Sequence, residues 1–348
     1  MSGNRVVQLF GIRRPRGVGR GLKRAVHRLI QPSRSTIRLK ASDRPNTKFA
    51  EFASGGAITI KRQPVFSRSD VFFTMGSCFA EEIRIALTQR GIACTPRYRD
   101  IVFDPATAMV DSLPEREHMN FYNTFTVRLQ LEQMLGMWEQ AADDYWIVKR
   151  AKAPWGPAGY QDPYRRLIMA KTPEVLAATV ASVNRTIREG MEAATAFIFT
   201  FGMTEVFINR KSSKVAAQKP AYAGGGGEKE TALHVSSYQE NLENVLAVVD
   251  LVRNSKPLAP IVLTVSPVSL SRTFQDSDVV TVNTESKSIL RAVLGQVSRE
   301  RDSVIYLPSF EFVTARGYEH AYEIDRRHVQ RPVVAEIIDQ FFDAFFTR

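Results

Sequence analysis

Short apolar runs alternate with amphipathic segments along most of this 348-residue chain. The uncharged runs have the length of buried strands and lie at residues 71–75, 197–201, 261–265 and 304–307, with a weaker run at 92–95. Segments with a helical spacing of apolar residues lie at 79–90, 127–138, 175–192, 238–253, 286–299 and 333–346. Because this alternation is typical of a parallel sheet flanked by helices, we predict a three-layer α/β fold.

The stretch from Val71 to Ala80 places a serine at the end of a predicted strand. The apolar run stops at Gly76, and a helical pattern begins at Phe79, so Ser77 lies at the turn between the two elements. The N–H groups and the dipole of a helix start favour developing negative charge there, which makes Ser77 a candidate nucleophile. Serine is equally a good helix N-cap, so both interpretations stay open.

Near the C-terminus, a carboxylate precedes a histidine by three residues, at Asp325 and His328. Residues three apart on a helical turn face the same way, so we expect Asp325 to accept a hydrogen bond from one ring nitrogen of His328. The other nitrogen could then take a proton from a serine. An exposed helix start has the same pattern, but His328 is the best placed base among the five histidines.

Six short motifs lie in order along the chain, at residues 75–80 (MGSCFA), 120–125 (NFYNTF), 200–205 (TFGMTE), 264–268 (TVSPV), 307–311 (LPSFE) and 325–328 (DRRH). Together they resemble the GSCFA family, within the SGNH hydrolase class of serine esterases and acyl-transfer enzymes. The resemblance implies an SGNH-hydrolase-like fold over roughly residues 66–346. It also implies that Ser77, Asp325 and His328 form a catalytic triad.

The resemblance is weaker where the wider class holds the oxyanion of the reaction. That class uses a Gly-x-Asn segment, whereas this chain has Gly202, Thr204 and Glu205 at the corresponding place. Candidate oxyanion and substrate-binding residues are therefore Gly202, Thr204 and Glu205, with Asn123 as a further amide donor. Asn123 is equally suited to cap the next helix, and Thr204 to end a strand.

The expected reaction is acyl transfer through an acyl-serine intermediate, giving an esterase with water as acceptor and a transferase with a sugar hydroxyl. The resemblance implies an ester substrate, and we expect an O-acyl group, such as O-acetyl, on a carbohydrate. In a rival interpretation Cys78 is the nucleophile, because thiols are the better nucleophiles at neutral pH. In a second class of function, the protein is non-catalytic and holds a glycan or a lipid head group in a degenerate site.

The formal net charge of +11 is concentrated in one part of the chain. Residues 1–48 contain 13 Lys and Arg against the single Asp43, whereas residues 49–348 contain 34 basic and 35 acidic side chains. We therefore predict a basic tail over residues 1–48 and an α/β domain over residues 49–348. The tail is expected to bind an anionic membrane surface or an acidic polymer, and the neutral body argues against a specific nucleic-acid partner.

The number and spacing of the cysteines and the hydropathy of the chain argue against further classes of protein. Cys78 and Cys94 are too few for a disulfide scaffold and lack metal-ligand spacing, so we expect a reducing compartment, no metal and no cofactor. No stretch approaches 18 uninterrupted apolar residues, which argues against a membrane span. We expect a cytoplasmic protein that is peripheral at the membrane if the tail binds there.

Two regions interrupt the alternation and are interpreted as insertions. Residues 139–172 are rich in aromatic side chains, among them Trp146, Trp155 and Tyr164, and predict an aromatic cap that either stacks on a sugar or simply packs. Residues 211–234 contain four consecutive glycines and predict a flexible lid or a linker.

Overall fold

The computed structural model describes residues 49–53, 58–101, 119–141, 143–148, 158–165, 168–217 and 227–347. The strands in these ranges are β1 (Val71–Gly76), β2 (Ala93–Thr95), β3 (Trp146–Val148), β4 (Gly159–Gln161), β5 (Met169–Ala170), β6 (Ala196–Phe201), β7 (Glu205–Asn209), β8 (Val215–Ala216), β9 (Thr231–Val235), β10 (Ile261–Val265) and β11 (Val304–Tyr306). The helices are α1 (Phe49–Ala53), α2 (Cys78–Gln89), α3 (Thr124–Met134), α4 (Pro173–Ala193), α5 (Gly227–Glu230), α6 (Tyr238–Ser255), α7 (Val279–Glu300), α8 (Ser309–Arg316), α9 (Tyr318–Ala321) and α10 (Arg331–Phe345), together with a 3₁₀ turn at Tyr98–Asp100.

Five strands form the central sheet in the order β2, β1, β6, β10 and β11, and all of their pairings are parallel. Each uncharged run in the sequence corresponds to one of these strands, so the predicted parallel sheet flanked by helices is confirmed. The strands lack charges because both faces are covered. Successive residues point to opposite faces, and the neighbours Phe72 and Phe73 are both fully buried.

Helices cover both faces of this sheet. On one face, Phe73 and Leu263 pack in a core with buried residues of α3, α4, α6 and α7. On the other face, Phe72 and Val262 pack with α2, α8 and α10. The ring of Phe341 in α10 lies 6.2 Å from that of Phe72, centroid to centroid. This aromatic contact holds the C-terminal segment beside the first strand of the sheet.

The strand order reverses between β1 and β6. The chain runs outward from β1 to β2 on one side and from β6 to β10 and β11 on the other. Ligands of open α/β sheets bind where the order reverses in this way. Gly76 permits the close approach of the two strands, because it has a φ of +144° and an added Cβ would lie 2.1 Å from Thr200 O.

Two small antiparallel sheets lie outside the central sheet. One falls within residues 139–172, whereas the other includes β7, which precedes the region 211–234. β3, β4 and β5 form one of them, and β8, β7 and β9 form the other. The rings of Trp146 and Tyr164 are buried, so these aromatic side chains pack internally. The described part of residues 211–234 includes strands β8 and β9. Trp155 and residues 224–226 lie outside the described residues.

The predicted basic tail, residues 1–48, lies outside the described residues, and its attraction to anionic surfaces stays a prediction. Within the described ranges, every helix is too short or too polar to cross a membrane. The cytoplasmic location likewise stays a prediction.

Candidate functional site

The side chains of Asp325 and His328 are in direct contact. Asp325 Oδ2 lies 2.5 Å from His328 Nδ1, and Asp325 Oδ1 accepts hydrogen bonds from the backbone N–H groups of Arg327 and His328, both at 2.9 Å. We expected a helical turn, but this segment is an irregular turn closed by a bridge between Tyr322 and Val329. The carboxylate itself organises the turn by accepting two N–H groups, and the turn brings the two side chains together.

Hydrogen bonds fix this turn to the loop that follows β10. Tyr322 Oη donates to Pro267 O at 3.0 Å, and Arg327 Nε donates to Ser269 O at 2.9 Å. In a parallel sheet, β10 and β1 end at the same edge. The two bonds therefore hold His328 at the edge of the sheet where α2 begins.

Asp325 is ionised throughout the neutral pH range. Partial desolvation raises its pKa, but hydrogen bonds from the backbone N–H groups of His328 and Arg327, and from the His328 ring, outweigh this and lower the pKa to about 2. The ionised carboxylate accepts a hydrogen bond from Nδ1–H, so the neutral ring has Nε2 as its basic nitrogen. Arg327 Nη1 lies 3.4 Å from Nε2.

His328 lines a cleft of about 340 Å³. The walls come from the first turn of α2, the loop after β10 and the segment around His328, through Cys78, Phe79, Glu81, Glu82, Val268, Glu323, Val329 and Arg331. A cleft of this volume is within the range of small-molecule sites. Cys78 and His328 line the same cavity.

Ser77 is the N-cap of α2. Its Oγ accepts a hydrogen bond from Phe79 N at 3.3 Å and lies 3.0 Å from Thr200 Oγ1, while its N–H donates to Thr200 O at 3.1 Å. Ser77 is only 2% exposed and is not one of the described residues that line the cleft. The serine therefore does serve as a helix cap, and its role as nucleophile stays a prediction.

Asn123 and Thr204, the two side chains expected to donate to an oxyanion, make structural hydrogen bonds. Asn123 caps α3, because its Oδ1 accepts from Thr126 N at 2.9 Å, and its Nδ2 donates to Glu205 O at 3.2 Å. Thr204 Oγ1 lies 2.8 Å from Ser286 Oγ. Both residues are buried and absent from the described lining of the cleft.

Gly202 and Glu205 follow β6 at the same edge of the sheet. An added Cβ at Gly202 would lie 3.6 Å from Ser77 Cβ, so this glycine packs directly against the helix cap. Glu205 Oε1 accepts hydrogen bonds from Phe274 N and Gln275 Nε2, both at 3.2 Å. Gly202 supports the start of α2, and Glu205 holds the loop before α7.

The segments that form the walls of the cleft lie within a match to a known family. Residues 71–341 match the GSCFA family. The chain belongs to this family. Ser77, Cys78, Asp325 and His328 all fall inside the matched range, so the cleft of this GSCFA protein is built from family segments. Membership of the wider SGNH class stays a prediction.

Other comparisons give little more than a distant structural likeness. Among solved structures, this GSCFA protein is similar to the salicylyl-acyltransferase SsfX3 from a tetracycline biosynthetic pathway, with 16% sequence identity and a TM-score of 0.24. That match covers 42% of this chain and 36% of the acyltransferase chain. No curated protein matches.

Lys287, which sequence reasoning missed, is buried behind the cleft of this GSCFA protein. Its Nζ donates to Gly202 O at 2.7 Å and to Val268 O at 2.9 Å, and the residue is 1% exposed. In the sequence, it lies in a polar stretch that is typical of a solvent-facing helix turn. Burial lowers the pKa of Lys287 to about 7, although the neighbouring Cys78, when ionised, acts in the opposite direction.

Lys287 should make stability rise with pH above neutrality. Its pKa is about 7 in the folded protein against an ordinary value of 10.5, so between these values the unfolded chain binds more protons. Stability therefore increases from pH 7 towards pH 10.5, and Lys287→Met should remove this contribution. Urea unfolding of wild type and Lys287→Met at pH 7, 8 and 9 measures the difference in slope.

Lys256, which is partly exposed and donates to Glu192 O, provides the matched control. Lys256→Met should keep the wild-type dependence of stability on pH. Equal slopes for wild type and Lys287→Met would contradict the assignment of a depressed pKa to Lys287.

Proposed function

We propose that this GSCFA protein is an acyl hydrolase or acyltransferase that forms a covalent acyl-enzyme. One observation carries the proposal: an ionised Asp325 contacts His328, and that histidine shares a cleft of small-molecule size with the N-terminus of α2. A base oriented by a carboxylate beside a helix start is an arrangement that supports acyl transfer. Family membership supports an acyl-related function.

In the proposed mechanism, the nucleophile is one of two adjacent side chains at the start of α2, Ser77 or Cys78. His328 Nε2 takes the proton of the nucleophile as it attacks an ester carbonyl, and Asp325 stabilises the imidazolium. The leaving alcohol then receives that proton. The positive end of the α2 dipole stabilises the oxyanion of the tetrahedral intermediate.

We propose an O-acyl group of a carbohydrate, such as O-acetyl, as the ester. Val268 and Val329 give part of the cleft wall an apolar surface against which a short acyl chain can pack. Glu323 supplies a carboxylate on the same wall, and carboxylates accept hydrogen bonds from sugar hydroxyls. Water as acceptor completes hydrolysis, and a second sugar hydroxyl completes transfer.

The function is tested by turnover of a short-chain aryl ester. His328→Ala should lower kcat/KM by about 10³-fold or more, because the proton of the nucleophile loses its acceptor. His234→Ala is the matched control, since His234 also pairs with a carboxylate, at 2.7 Å from Glu240, but is not among the described residues that line the cleft. This control should retain wild-type turnover.

Equal turnover in wild type and His328→Ala would contradict the proposal. A purified protein that neither hydrolyses the ester nor becomes acylated would favour the alternative function, in which a degenerate site binds a glycan or a lipid head group without catalysis.

A further inference from the structure

The two candidate nucleophiles at the start of α2 have different surroundings. The Ser77 hydroxyl is enclosed, because its Oγ accepts from Phe79 N and contacts Thr200 Oγ1 at 3.0 Å. Thr200 also accepts the Ser77 N–H, through both its carbonyl and its hydroxyl. These bonds fix Ser77 in the sheet edge and leave the residue 2% exposed. Its described partners belong to the backbone and to β6.

Cys78 is the first residue of α2 and is partly exposed. It lies on the wall of the cleft that His328 also lines. The two residues enter this cavity from segments 250 positions apart in sequence, so their meeting is a product of the fold. A cysteine and a histidine therefore line one small cleft, and Asp325 contacts the histidine through Nδ1, which is an arrangement suited to cysteine-dependent acyl transfer.

A helix dipole and a lysine lie close to Cys78. α2 has 12 residues, and the positive end of its dipole is at Cys78. Lys287 is close enough to interact with an ionised Cys78, and this attraction stabilises both charges. Burial raises the pKa of the other thiol, that of Cys94, to about 11.

We propose that Cys78, rather than Ser77, carries the acyl group. Ser77 is then a positioning residue, whose cap and Thr200 bonds fix the first turn of α2 so that the Cys78 side chain enters the cleft. This inference rests on the proposed function, but it changes the chemistry of the intermediate from an oxygen ester to a thioester.

The reaction balances in two steps. The Cys78 thiol gives its proton to His328 Nε2, sulfur bonds to the ester carbonyl carbon, and the bond from that carbon to the alcohol oxygen breaks as the alcohol takes the proton from His328. Water or an acceptor hydroxyl then gives a proton to His328 and attacks the thioester. The carbon–sulfur bond breaks, and the proton returns to sulfur.

The test uses the full chain and an aryl acetate, with the acetylated protein detected by intact mass. Wild-type protein should take up one acetyl group, and neutral hydroxylamine should remove it, because this reagent cleaves thioesters much faster than ordinary oxygen esters. Cys78→Ala should lose the adduct, and its turnover should fall by about 10³-fold or more. Ser77→Ala should still form the hydroxylamine-sensitive adduct, with a loss of stability of about 1 kcal/mol for the missing cap.

Two further measurements test the inference without using Cys78→Ala, so they hold even if that variant does not fold. Iodoacetamide should abolish acetylation of wild-type protein and of Cys94→Ala, the matched thiol control. Cys78→Ser should become insensitive to iodoacetamide, and any adduct that it forms should resist hydroxylamine.

The outcomes separate the inference from the proposed function. A hydroxylamine-resistant adduct that survives in Cys78→Ala and disappears in Ser77→Ala would overturn the inference and leave the acyl-transfer function standing. A wild-type protein that forms no adduct and hydrolyses no ester would overturn both.

Discussion

Asp325→Asn should lower kcat for ester hydrolysis by about 10³- to 10⁴-fold while leaving the fold intact. The introduced asparagine can still accept backbone N–H groups through its carbonyl oxygen, as Asp325 Oδ1 accepts those of Arg327 and His328. Its amide group, however, donates where Asp325 Oδ2 accepts from His328 Nδ1. The ring is then driven to the tautomer that carries its proton on Nε2, and it can no longer act as a base towards the nucleophile.

The effect should fall mainly on kcat, because the described lining of the cleft does not include Asp325. Asp339→Asn is the matched control, since Asp339 pairs with Arg90 at 2.6 Å on the surface of α10. Its kcat should equal that of wild type. Retention of wild-type kcat within about tenfold in Asp325→Asn would contradict an orienting role for the carboxylate.

The low pKa of Asp325 sets the pH range over which its carboxylate orients His328. With a pKa of about 2, Asp325 loses its charge only in strong acid, so its contribution to orientation of His328 should stay constant down to about pH 3. A group with a depressed pKa stabilises the folded state above its ordinary pKa and loses that contribution as pH falls. A decline in wild-type activity between pH 8 and pH 4 must therefore come from groups other than Asp325.

Gly76→Ala should lower the free energy of unfolding by more than about 4 kcal/mol. The added Cβ would lie 2.1 Å from Thr200 O, a backbone atom of the adjacent strand, so β1 and β6 would have to separate. The φ of +144° adds strain for any residue with a Cβ. Because typical domains are stable by about 5–15 kcal/mol, this single methyl group removes a large part of the total.

Gly91→Ala separates the effect of the steric clash from the effect of backbone strain. Gly91 also has a positive φ, of +79°, but no atom lies within 4 Å of an added Cβ. Its replacement should cost only about 1–2 kcal/mol, from backbone strain alone. Chemical denaturation of both variants measures the difference, and similar losses would show that the contact with Thr200 is unimportant.

Most of the central fold follows from the sequence, because both faces of the sheet are buried. Uncharged runs such as Ile261–Val265 predict strands covered on both sides, and the observed bounds of β10 match the predicted run. The small sheets could not be predicted in this way. β8 has only two residues, and its pairing with β7 depends on the long-range path of the chain.

The candidate site was predictable only in part. The spacing of Asp325 and His328 indicates their contact through a helical turn. In the structure an irregular turn brings the two side chains together instead. Whether Ser77 or Cys78 faces the cleft depends on the backbone angles of a single cap residue, which the sequence does not encode locally. Lys287 gave no signal because the polar residues around it concealed its burial.

The most direct test of the acyl-transfer account is the position and rate of acetylation after rapid mixing with an aryl acetate. Peptide mapping should place a single acetyl group on the peptide that contains Ser77 and Cys78, and His328→Ala should acquire it about 10³-fold more slowly than wild type. An acetyl group on a different segment, or equal rates in the two proteins, would contradict the account.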